Sequence, residues 1–171
     1  MKKTTWTVPM LAALTFGLLQ AQTQQSADGH QIGVNSRGDH AMGFSHERTT
    51  HHFRLYPDGG AIEVTANQSS DIDSRNMIRT HLSHITKMFA AGNFNTPMFI
   101  HDTVPPGATT MSELRDHIDY RYSDIPAGGR VRIHSSDPTA VAAVHDFLSF
   151  QITDHKTGDS PAITQDPAER H

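Results

Sequence analysis

The sequence predicts an α+β fold: a two-layer sandwich from a duplicated ββα unit, with a four-stranded antiparallel sheet and two helices on one face. Three observations predict it. A glycine pair separates two alternating runs in "HHFRLYPDGGAIEVTA" and again in "IDYRYSDIPAGGRVRIH", and glycine between alternating runs is a hairpin signal. Each doublet is followed by a long segment with helical periodicity. The strands are apolar on one side only, which calls for helices on that side and solvent on the other.

The elements follow in chain order. Lys2 and Lys3 precede an apolar run from about Val8 to Leu19, with the small Ala21 just beyond. Such a run is too short to cross a bilayer, so residues 1–21 read as a signal peptide and the mature chain as exported, periplasmic or extracellular, with no membrane span. Residues 22–48 are polar, with glycines at 29, 33, 38 and 43, and read as a flexible leader. The triplet Arg37, Gly38, Asp39 in it carries no weight as an adhesion motif.

Residues 49–155 form the single predicted domain, with a first repeat over about 49–92, a linker over 93–115 and a second repeat over about 116–155. In the first repeat, His51, Phe53, Leu55, Ile62 and Val64 share one strand face. A helix is predicted from about Asp73 to Ala91. In the second, Ile118, Tyr120, Tyr122, Val131 and Ile133 share a face, and Asp137 followed by Pro138 is the expected start of a helix running to about His155. The opposite face carries His52, Arg54, Glu63, Asp119, Arg121, Arg130, Arg132 and His134 and reads as solvated, a surface on which a homodimer could form. In the linker, Met98 to His101 suggests a short strand and Ser112 a helical turn, while Pro105, Pro106 and Gly107 force a loop. Residues 156–171 read as a flexible tail.

Composition narrows the chemistry. The chain of 171 residues has no cysteine, which removes disulfides, thiolate ligands and a cysteine nucleophile, and it has 13 histidines. Removing Lys2 and Lys3 from 14 basic residues leaves 12 against 18 acidic ones, a poor balance for binding nucleic acid.

The first helix, "RNMIRTHLSHITKMFAAG", carries a core stripe of Ile78, Leu82, Ile85 and Phe89. A second stripe of Met77, His81, His84 and Met88 lies roughly 100° around it. Aligning "IRTHLSHI" with "VHDFLSFQ" sets His81 against Phe147 and His84 against Phe150, so one repeat has imidazoles where the other has apolar rings. The reading that follows is a transition-metal site of His51, His52, His81 and His84, with His51 turned inward and His52 on the open face unless a bulge reverses the parity. His101 and His145 are further candidates, and the leader's His40, Met42 and His46 could assist capture. The flanking thioethers favour copper, with zinc second. If cleavage fell after Ala27, the exposed "DGH" would offer His30 to a cupric ion.

Other readings stand beside this one. A metal-dependent or histidine-based enzyme finds its composition in His101 beside Asp102 and Asp154 beside His155, although adjacent side chains seldom bond productively. Non-covalent haem would use His81 or His84 with Met88, Phe89 and Phe94 around it. His117, His134 and His171 read as exposed, and His155 as a cation at a helix C-terminus.

Overall fold

The computed structural model describes residues 13–169, with side chains from residue 28 onward. The chain divides into two compact units, residues 1–32 and 33–171. In the first, the described backbone is helical; residues 1–12, which hold much of the predicted signal peptide, and His171 lie outside the described residues. Everything below concerns the second unit.

Its sheet has the strands β1 (Thr49–Tyr56), β2 (Gly59–Ala66), β3 (Asp119–Ile125) and β4 (Gly128–His134), all antiparallel, in the order β1-β2-β4-β3. The glycine pairs earn their places differently. Gly59 takes a φ of +135° as β2 begins, whereas Gly128 lies so close to β2 that a Cβ there would sit 1.9 Å from the Val64 carbonyl oxygen. The predicted parity holds: Phe53, Leu55, Ile62, Val64, Val131 and Ile133 are buried on the helix-covered face.

Helix α1 spans Ala13–Met42 and helix α2 Ile72–Ala90, the latter capped by the Asp71 carboxylate, which accepts from the Ser74 amide. Two short helices follow, α3 (Asn95–His101) and α4 (Ala108–Glu113), and α5 (Pro138–Asp154) closes the set. Asp137 caps α5 by accepting from the Thr139 and Ala140 amides, and Pro138 takes the first helical position. The stripe Ile78, Leu82, Ile85 and Phe89 is buried, as its spacing predicts. Each of these side chains contributes about 1.5–3 kcal/mol by leaving water. No helix among the described residues is long and apolar enough to cross a membrane.

The helices are laid crosswise over the two hairpins. α2, which follows the first hairpin, packs mainly on β3 and β4; α5, which follows the second, packs on β1 and β2. This crossing brings the C-terminal end of α5 over β1.

Three segments differ from their reading. The predicted leader is helical as far as Met42, and within the second unit α1 is fastened by buried Val34 and by Arg37, whose Nε donates to the Ile100 carbonyl at 2.8 Å. Met98 to His101, expected as a strand, is the end of α3, where the consecutive apolar residues are one turn of helix with Ile100 and His101 buried. The predicted flexible tail is a strap. Ile163 bridges in parallel to Leu55 of the edge strand, and the Thr164 amide donates to the Leu55 carbonyl at 3.0 Å. Asp166, buried, accepts from Arg130 at 2.6 Å and from Arg132 at 3.0 Å. The strap thus covers arginines expected in solvent.

Candidate functional site

Strand parity turns His51 toward the helices, and the crossing of α5 brings His155, its C-terminal cap residue, onto the same spot. The two rings lie parallel, 1° apart in plane and 5.6 Å between centroids. Phe44, in the connection between α1 and β1, packs against His51 at 6.1 Å and edge-on against His81 of α2 at 5.7 Å. His51, His81, His101 and His155 line one cleft of about 490 Å³, counted out to its open mouth, together with Met42, Gln151 and an apolar wall that includes Leu82, Ile85, Phe89 and Phe147.

Burial dominates the electrostatics here. It pushes His51 down to about 4, with further lowering from the neighbouring His81 and His52. It pushes His81 to about 4, with help from His84, and His155 to about 3, with help from His51 and His101 against the opposing pull of Asp154. All three are therefore neutral near pH 7 and carry a free nitrogen lone pair. Among the described residues, none of their ring nitrogens has a hydrogen-bond partner. His155 is accordingly no helix-terminal cation: a ring packed against His51, Phe53 and His101 cannot hold a proton at neutral pH.

The inner end of the cleft is built around a bonded histidine. His101 is 2 % exposed; its Nδ1 lies 2.5 Å from Asp154 Oδ2 and its Nε2 2.9 Å from Gln151 Oε1. The adjacent pairs His101–Asp102 and Asp154–His155 thus resolve into one crossed pair, His101 with Asp154. Gln151 is buried and its Nε2 has no partner. Whichever way the amide is turned, His101 engages one of its polar atoms and the other is left over, which is unusual for a buried amide.

Of the four predicted ligands, the cleft unites only His51 and His81. His52 lies on the other face, where its Nδ1 meets Asp159 Oδ1 at 2.9 Å; the same carboxylate accepts from the Phe53 amide and pairs with Arg54. His84 is exposed and lines a separate outer cleft with Met42, Met77 and His81. Met88 packs against the core instead of joining either histidine. His145 donates from Nε2 to the Tyr56 and Gly59 carbonyls at 2.8 and 3.1 Å, a structural role. His46 is held by Asp39 at 2.9 Å. Among the described residues no group of three or more histidines and carboxylates is arranged to hold a metal ion.

Sequence reasoning missed His155 and Gln151 as cleft residues. A signal was there: Phe147, Gln151 and His155 recur every four residues, so the apolar stripe of α5 continues in polar side chains. Comparison of the chain with family models, with curated proteins and with solved structures gave no match.

Proposed function

We propose that this exported protein binds one soft transition-metal ion, cuprous copper, in the cleft, with His51 and His81 as imidazole ligands and the Met42 thioether beside them. The observation that supports the reading is the convergence of two neutral, unpartnered imidazoles, one from a strand and one from a helix, on a cleft with a thioether in its wall. A ligand must be deprotonated before it binds, and these already are. Cuprous copper accepts thioether sulfur and low coordination. Zinc asks for four nitrogen, sulfur or oxygen donors in a tetrahedron. Because no group of three histidines and carboxylates is assembled among the described residues, the set favours copper over zinc.

The test is loading of the untagged mature protein with Cu(I) under reducing, anaerobic conditions, followed by competition with a chromogenic Cu(I) chelator. One retained copper per chain is expected. His51→Ala with His81→Ala should weaken retention by about 100-fold or more while circular dichroism stays unchanged, and His52→Ala should leave retention as it was. No retained copper, or an unchanged affinity in the double variant, overturns the site; preferential retention of zinc, or a Soret band after incubation with haem, overturns the choice of copper.

A further inference from the structure

The second stripe of α2 has a use that the cleft does not absorb. Met77, His81 and His84 follow at helical spacings of four and three and so share a face. Met77 is 46 % exposed, a large thioether held in solvent although the core of α2 is already supplied by Ile78, Leu82, Ile85 and Phe89. These side chains open onto an outer cleft of about 740 Å³, mouth included, with Met42 on its far side. Met42 is the last residue of α1, and Gly43, at a φ of +78°, turns the chain away immediately after it.

Met42 and His81 line both clefts. They form the partition between an outer set, Met77 and His84, and an inner set, His51 and His155. We propose that the outer cleft is a capture site for cuprous copper, in which the Met77 thioether and the His84 imidazole take the ion at the surface and pass it to Met42 and His81, from which it reaches His51. The transfer is ligand exchange alone: each new nitrogen or sulfur bond to copper forms as an outer one breaks, and the ion stays Cu(I) throughout. Two thioethers and two imidazoles around one opening select a soft ion over the calcium and magnesium that prefer oxygen. A shared partition lets the ion move without being released to water.

This inference rests on the copper reading of the inner cleft, and the experiment separates the two. Cu(I) is presented as a weak acetonitrile complex at limiting concentration, and loading is followed by stopped flow in the full mature chain and in a Met77→Leu, His84→Gln double variant, whose changes fall on exposed side chains. The loading rate should drop about tenfold or more while equilibrium affinity stays within about threefold. In His51→Ala, copper should still shift the ¹³C-methyl resonance of Met77. A rate equal to that of the unaltered protein overturns the capture site but leaves the inner one standing. A loss of affinity matching the loss of rate overturns it too, because the outer side chains would then belong to the equilibrium site. An unaltered protein that retains no copper overturns both.

Discussion

His51 and His52 are neighbours on one strand, and the two faces of the sheet treat them in opposite ways. On the open face His52 is met by a carboxylate, Asp159, as Arg130 and Arg132 are met by Asp166. On the covered face His51, with His81 and His155, is packed among rings, and burial outweighs the pull of Asp39 on His51 and of Asp154 on His155. One face neutralises charge by pairing; the other removes it by keeping imidazoles unprotonated. A strap of carboxylates makes a structure rigid, whereas unpaired lone pairs beside a cleft leave something to bind.

The faces should fail at different acidities, and this is the largest effect expected. Each cleft histidine has a folded value of about 4 or 3 against an ordinary 6.5, so the unfolded chain binds the proton first. Their contribution is fully present above about 6.5 and is lost as the pH falls toward 4, together by up to about 4 kcal/mol per pH unit. On the open face burial raises Asp159 and Asp166, but the amides of Phe53 and Ala168 and the neighbouring His52 and Arg130 outweigh it and hold both below 3.8. Their share is present above that value and lost only on further acidification. Urea midpoints of the metal-free protein at pH 7, 6 and 5 should decline steeply; a flat profile across that range would contradict the neutral-histidine face.

Asp166→Ala comes next. It takes one carboxylate from each of two largely buried guanidinium groups, leaving Arg130 with Glu63 and Arg132 with Asp58, and should cost about 2–3 kcal/mol in urea denaturation, with Cu(I) affinity unchanged. A smaller effect is expected from Gln151→Leu, which deprives the His101 ring of a partner at a cost of about 1–3 kcal/mol, at the lower end because the orphan amide group disappears with it. His52→Ala should cost under about 1 kcal/mol, since Asp159 keeps Arg54 and the Phe53 amide. If His52→Ala proved more damaging than Asp166→Ala, the account of the open face would be wrong.

Much of the fold was legible because its signals are local. Glycines at the hairpins, one-sided strands and the Asp137–Pro138 cap each depend on residues a few positions apart. The second unit's part of α1 was hidden because buried Val34 and a long-range bond from Arg37 help to hold it, where a periodic stripe would have been visible. The strap was hidden for a similar reason: Asp159 and Asp166 look like ordinary polar tail residues until Arg54 and Arg130 are brought alongside. In the site, the inward turn of His51 follows from strand alternation. The meeting of His101 with Asp154, 53 residues away, depends on how α3 and α5 dock, and no spacing rule reaches that far.

The crossing of the helices bears on how the polypeptide is made. While synthesis proceeds from the amino end, the greasy side of β1, and the part of β2 that α2 does not reach, stays bare until α5 has been made, because that is the helix that covers it. Assembly therefore waits for nearly the whole chain, a topology expected to be slow and to lean on chaperones in the interval. Cutting the gene after residue 137 should yield insoluble material rather than a smaller working domain.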